Sequence, residues 1–301
     1  MSERTVLLVD ADSKEGFPNL ALMKLSAWYK KEGWEVDLIR GLPLAPPLHL
    51  YDKSYISVIF FQNKERALEY GLMLPNCEIG GSGYDITKKL PDEIEHIMPD
   101  YSLYDIDYSI GFTSRGCLRN CGFCIVPKKE GPIRHNAHVQ EFHRLDHKKI
   151  MLLDNNFLAS PNYLFELGYI NQLALKVNFN QGLDIRLMTP ETAEILAQTK
   201  YYSWNFKTRG LHFAFDDMRY EKEVWRGIDL LENAGVNPKH LMFYVLVGYN
   251  TTEQQDLNRI YSLKDRGVKP FVMPYNQTKN RLTRFVNGRY YEFMKLEDYK
   301  Y

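Results

Sequence analysis

The chain has 301 residues, 45% of them apolar and 25% charged, a length that suggests about two domains of ~150 residues each. Its 38 basic and 38 acidic side chains cancel, so no global charge drives it toward nucleic acid or membrane, though a local basic patch remains open. The apolar run near the N-terminus, in "TVLLVDAD", is too short for a secretory signal, and no run of about 18 apolar residues exists to span a bilayer. A cytoplasmic protein with no membrane partner is expected.

Residues 1–90 read as a small doubly wound α/β domain. "TVLLVDAD" is a buried strand ending in Asp10 and Asp12, and "NLALMKLSAWYKKEG" an amphipathic helix closed by Gly33. "WEVDLIR" and "YISVIFF" are the next strands, "KERALEYGL" a short helix, and "CEIGGSGYD" a short strand running into a glycine turn. Cys77 opens that strand and reads as a small buried hydrophobe. Residues 91–107, "PDEIEHIMPDYSLYDID", read as a linker.

The segment "SRGCLRNCGFC" holds Cys117, Cys121 and Cys124, three of the four cysteines of the chain. In a reducing compartment such a cluster is metal-binding or catalytic more often than disulfide-bonded. Zinc sites usually take four ligands as paired C-x2-C units, whereas C-x3-C-x2-C offers three thiolates, suited to three corners of a cubane iron–sulfur cluster. Gly111 and Gly116 bracket the turn that leads in, and Phe123 precedes the last cysteine.

From residue 108 to 275 strands alternate with helical stretches. The strands are "YSIGFTS", "KKIMLLDNN", "LKVNFNQG", "GLHFAFDD", "HLMFYVLVGY" and "VKPFVMPY". The helices carry start and stop signals: Ser160 with Pro161, Thr189 with Pro190, Thr251 or Thr252, and the stops Gly235 and Gly267. Six such units predict parallel β/α architecture. Active-site groups in barrels of this kind sit at the carboxyl ends of strands. That rule nominates Asp154, Asn155 and Asn156; Asn180, Gln181, Asp184 and Arg186; Asp216 and Asp217; Gly248, Tyr249 and Asn250; and Pro274, Tyr275 and Asn276. Asp and Asn also follow strands for turn chemistry alone.

The cysteine loop with its aromatic before the third cysteine resembles the signature of the radical S-adenosylmethionine (radical SAM) superfamily. "LLDNNF", "FNQGLDIRLMTPETAEILAQ" and "VLVGYNTTEQQDLNRI" resemble the second-, third- and fifth-strand segments of members with cobalamin-type N-terminal domains. The resemblance covers about residues 108 to 275 and implies a partial (β/α)6 TIM-like barrel, preceded here by the Rossmann-like domain. It implies that Cys117, Cys121 and Cys124 ligate a [4Fe-4S] cluster whose open iron chelates S-adenosylmethionine. One electron, from a flavodoxin- or ferredoxin-like donor, then breaks the S–C5′ bond and releases a 5′-deoxyadenosyl radical. The implied cofactor-binding residues are Phe123 beside the adenine, Asp154 and Asn155, then Gln181, Asp184 and Arg186, with Arg186 on the methionine carboxylate, and Gly248 and Tyr249 near the adenine. The radical abstracts hydrogen from a small molecule, a peptide or a nucleic-acid base, with or without cobalamin-dependent methyl transfer. Cobalamin is implied for the first domain, but "DADSKEG" has Asp10, Asp12 and Gly16 without the histidine of D-x-H-x-x-G. The methylthiolating tRNA enzymes carry three further N-terminal cysteines, and only Cys77 is present here.

A second reading is a non-catalytic, zinc-stabilised RNA-binding protein, with His135 or His138 completing a zinc knuckle. His143 and His147, at i, i+4 in a polar stretch, read as solvated residues on a surface helix. The tail, 276–301, interleaves Lys279, Arg281, Arg284 and Arg289 with Phe285, Tyr290, Tyr291 and Phe293. That mixture suits either single-stranded nucleic acid or a segment that packs across the barrel and buries its rings.

Overall fold

The computed structural model describes residues 4–12, 17–275 and 281–300. The chain is a mixed α/β protein with parallel sheets, divided into two compact units. One comprises Met1–Gly111 with Gln140–His147, the other Phe112–Val139 with Lys148–Tyr301. Among the described residues no helix is long and apolar enough to cross a membrane. Gly16, Asn276 and Lys279 lie outside the described residues.

In the first unit, β1 (Thr5–Asp10) is an inner strand and every residue of it is buried. It pairs in parallel with β2 (Glu35–Arg40) and β3 (Lys53–Ser57), and β3 pairs with β4 (Cys77–Gly80), giving the order β2-β1-β3-β4. Side chains alternate across a strand. Leu7 and Val9 therefore join Ile56, Ala67 and Tyr70 on one face, where α2 (Lys64–Leu72) packs. Val6 and Leu8 join Leu22, Leu25 and Tyr29 of α1 (Leu20–Lys31) on the other. Asn19 caps α1 by accepting from Leu22 N at 3.3 Å. Cys77 is half-buried against the first cluster, and burial pushes its thiol up to about 11.

Residues 91–107 are not a linker. They form α3 (Asp92–Glu95) and a turn at Tyr101–Leu103, and bury Ile94, Tyr101 and Tyr104. Glu95 pairs with the buried Lys24 of α1 at 2.9 Å. Asp100 accepts from Ser26 Oγ at 2.6 Å and Lys30 Nζ at 2.7 Å. Two acids of this segment, Glu95 and Asp100, are thus matched to lysines of α1.

The histidine reading is overturned as well. The short helix α5 (Val139–Phe142) ends before His143, and both His143 and His147 are buried. His143 Nε2 lies 3.0 Å from His147 O, and His147 Nδ1 lies 3.1 Å from Ser109 Oγ. Burial lowers the His147 pKa and favours its neutral ring.

The chain passes through β5 (Ser109–Gly111) into the second unit, where β6 (Ser114–Arg115) pairs antiparallel with β7 (Arg134–His135) around the cysteine loop. The short helix α4 (Val126–Lys129) follows the last cysteine. Strands β8 (Lys149–Leu152), β9 (Lys176–Phe179) and β10 (Lys200–Tyr201) pair in parallel, as do β11 (Leu211–Ala214), β12 (Leu241–Val247) and β13 (Lys269–Pro274). Leu183 N donates to His212 O at 2.7 Å, tying the segment after β9 to β11. The six expected strands are present in shortened form, and β6, β7 and β10 are two-residue additions.

Helices α6 (Tyr163–Gln172), α7 (Pro190–Gln198), α8 (Glu221–Asn233) and α9 (Glu253–Asp265) connect them, and α10 (Arg281–Asn287) follows β13. Thr189 caps α7 and Thr252 forms a capping box with Gln255 on α9. Helices α8 and α9 are followed by Gly235 and Gly267 in left-handed conformation. Ser160 does not cap α6. A turn at Phe157–Ala159 intervenes, the helix starts at Tyr163, and Ser160 Oγ accepts from Asn162 N at 3.3 Å instead.

Candidate active site

The cysteine loop is held by groups at the carboxyl ends of the second unit's strands. Asp154, just beyond β8, is buried and accepts from both the backbone and the hydroxyl of Thr113 (3.0 and 2.6 Å) and of Ser114 (2.6 and 2.7 Å). Burial raises its pKa, and those four donors oppose the rise. Asn155 Oδ1 takes Gly116 N at 3.0 Å. Gly116 sits at φ +83, where an added Cβ would lie 2.2 Å from Pro132 O, so the close approach requires glycine. Both predicted residues therefore position the loop.

Within the loop, Cys117 Sγ accepts from Arg119 N at 3.3 Å and from Asn156 Nδ2 at 3.4 Å, and Cys124 Sγ accepts from Val126 N at 3.4 Å. Three backbone or side-chain amide hydrogens thus point at two of the three sulfurs. Burial pushes the Cys121 thiol up, against the nearby Arg186 guanidinium and with the Cys124 and Cys117 thiols adding to the rise. All three cysteines are partly exposed. Among the described residues no three His, Cys, Asp or Glu side chains converge as the ligands of one metal ion do. In a cubane each thiolate meets a different iron, so its thiols need not share one point.

Asp184 and Arg186 lie beyond β9 and form a bidentate pair, Nε–Oδ1 2.6 Å and Nη2–Oδ2 3.0 Å. Asp184 Oδ2 also takes Arg119 Nε at 3.0 Å and Asn156 Nδ2 at 3.4 Å. Burial would raise the Asp184 carboxyl, but the two guanidinium groups hold it below the ordinary value. Arg186 stacks over Tyr220 at 4.6 Å. Its fork is thus already engaged by Asp184. Gln181 is exposed.

Phe123 meets Tyr249 edge-on at 5.3 Å, and Tyr249 lies 4.8 Å from Tyr275, so the loop aromatic joins the carboxyl ends of β12 and β13. Gly122 is in close contact with Tyr249, since an added Cβ would lie 2.5 Å from its Oη. Gly248, at φ +76, turns the chain toward Tyr249, and its N–H donates to Asp256 at 3.4 Å.

Four residues gain importance here. Asp216, after β11, accepts from Leu246 N at 3.1 Å, and burial raises its pKa to about 6. It is also within electrostatic reach of Cys121 and Arg186. Strand-end position nominated Asp216, Asn156 and Tyr275 without separating them from their neighbours, and no sequence signal marked Arg119. Asp217 pairs with Arg219 at 2.6 Å, away from the loop contacts.

The zinc-knuckle histidines have other partners. His138 Nδ1 lies 2.7 Å from Glu166 Oε1, and His135 Nδ1 lies 3.0 Å from Asn162 Nδ2. In the tail, Phe285 and Tyr291 are buried, and Arg281 caps the carbonyls of Leu296, Glu297 and Tyr299. No protein-family model matches the chain, and no curated protein matches it either.

Proposed function

We propose that this chain is a radical SAM enzyme, its second unit a partial (β/α)6 barrel and its first a Rossmann-like domain. The observation that carries this reading is a three-thiol loop held over the carboxyl ends of parallel strands, with amide hydrogens aimed at Cys117 and Cys124 sulfur. The donor set fits a [4Fe-4S] cluster, which Cys117, Cys121 and Cys124 would hold by three irons. When bound, such a cluster would supply the electron, drawn from a flavodoxin- or ferredoxin-like donor, for reductive cleavage of S-adenosylmethionine.

The chain's own residues orient and enclose. Arg186, already braced by Asp184, has Nη1 as the donor for the methionine carboxylate. Phe123, Tyr249 and Tyr275 supply a partly exposed aromatic wall beside which the adenine would lie. The substrate class is a small molecule, a peptide or a nucleic-acid base.

The first unit does not fit cobalamin. Its order β2-β1-β3-β4 puts the switch point between β1 and β3, where such sheets take ligands. There Asp10 accepts from Tyr104 Oη at 2.6 Å, and Asp12 accepts from Ile59 N at 2.5 Å and Asn63 Nδ2 at 2.6 Å. These partners belong to the fold, so no step is assigned to that cofactor.

Protein prepared without oxygen should contain about four irons per chain with broad visible absorbance. With S-adenosylmethionine and a strong reductant it should release 5′-deoxyadenosine, and Cys121→Ala should abolish the release. About one zinc per chain and an intact cofactor would overturn this proposal and support the zinc-stabilised RNA-binding reading instead.

A further inference from the structure

The opposite ends of the second unit's strands carry a row of cations. Lys149, Lys176 and Lys200 begin β8, β9 and β10 and are register neighbours, Lys149↔Lys176 and Lys200↔Lys176. Register neighbours on parallel strands point to the same face, and strands lie about 4.8 Å apart. Like charges in such positions repel.

The row continues through aromatic rings. Lys176 Nζ lies 4.8 Å over Tyr202, and the Arg209 guanidinium lies over Tyr202 at 5.6 Å and over Tyr201 at 3.9 Å. Tyr201 Oη is 3.0 Å from His240 Nδ1. His240 directly precedes β12, whose Met242 is the register partner of Lys269 at the start of β13, which brings Lys269 beside this cluster.

Counter-charge is sparse on this face. Among the described residues, Lys176, Lys200, Lys207, Arg209 and Lys269 form no ion pair. Nearby Asp229 and Glu232 are already matched to Arg266, at 2.6 and 2.8 Å. The carboxyl end of α7 takes part of the charge, since Arg209 Nη2 donates to Thr199 O at 3.2 Å. Arg209 Nε is nevertheless buried with no partner. Beside it, a loop closed by Ser203 N donating to Thr208 O at 2.9 Å carries Trp204, 65% exposed, together with the exposed Lys207.

Unpaired cations interleaved with rings, and one large ring left in water, match the chemistry of a polyanion that also stacks. We propose that this face binds single-stranded nucleic acid, its phosphates along Lys176, Lys200, Arg209 and Lys269 and one base on Trp204. An acidic protein surface would use the cations but leaves Trp204 unexplained. The proposal uses none of the cysteine chemistry.

The test is fluorescence anisotropy of the full chain with a labelled, mixed-sequence RNA of about 20 nucleotides, from about 50 mM salt upward. The unlabelled DNA of the same sequence is used as competitor. Lys200→Glu/Lys207→Glu/Lys269→Glu should weaken binding at least about thirtyfold and flatten the log–log salt slope by about two units. Trp204→Ala should cost about tenfold and leave the slope unchanged. Because charge reversal could perturb folding, the same three positions as Gln should show the same direction with a smaller loss. A control reversing the exposed Lys31, Lys89 and Lys222 should leave affinity within about twofold. Absence of binding at the lowest salt, an equal loss in the control, or capture of polyglutamate but not of either nucleic acid would overturn the proposal.

Discussion

Asn156 Nδ2 lies 3.4 Å from Cys117 Sγ and the same distance from Asp184 Oδ2, so one amide links the cysteine loop to the charged cluster beyond β9. Both acceptors need hydrogens, which fixes the orientation of the amide and leaves the buried Oδ1 without a donor. Removing this N–H makes the sulfur a stronger electron donor. On the proposed reading, Asn156→Ala should therefore lower the midpoint potential of a reconstituted cluster while keeping about four irons per chain. A redox titration reads this directly, and an unmoved potential would show that the amide serves packing alone.

Asp154 anchors the loop by four hydrogen bonds from Thr113 and Ser114. Asp154→Ala strands those donors in a buried place and should cost about 3 kcal/mol of stability. Urea denaturation measures the loss. A cost below about 1 kcal/mol would mean that water replaces the carboxylate without penalty.

Asp216 gives a pH signature. Its pKa is raised from the ordinary 3.8 to about 6, chiefly by burial. The folded state therefore holds this proton more tightly than the unfolded state. Its stabilising effect is complete below the unfolded value and is lost as pH rises through about 6. Asp216→Asn, which keeps an acceptor for Leu246 N, should abolish a decline of roughly 2–3 kcal/mol between about pH 4 and 6. Denaturation midpoints of both proteins across that range test the sign.

Gly122 and Tyr249 make a paired prediction. A methyl group at Gly122 would push against Tyr249 Oη, the tip of a partly exposed side chain, so Gly122→Ala should destabilise by about 1 kcal/mol. Tyr249→Phe removes the colliding atom and keeps the ring against Phe123. The double variant should recover most of the loss, and additive single effects in a double-mutant cycle would refute the contact.

Much of the second unit is legible before any folding is considered. β12 follows its apolar run, α7 and α9 begin where Thr189 and Thr252 can bond the first free amides, and Gly235 and Gly267 follow the ends of their helices. Ser160 carried the same kind of signal and failed, because the chain makes an extra turn at Phe157–Ala159 before α6 can start. At the site, cysteine spacing and strand-end position brought the right neighbourhood to notice. The convergence of Arg119 and Asn156 on Asp184 was not legible, since both come from segments distant in sequence.

Residue order alone determined the local elements, the three-thiol spacing and the repeated strand–helix rhythm, because periodicity, caps and glycine conformations act within a few residues. Tertiary structure decided that His143 and His147 are buried, that residues 91–107 match the lysines of α1, and that Lys149, Lys176 and Lys200 stand in one row. Each of these depends on sheet register or on partners many residues away, and the free energy of a charge or an imidazole is set by the groups that surround it in space.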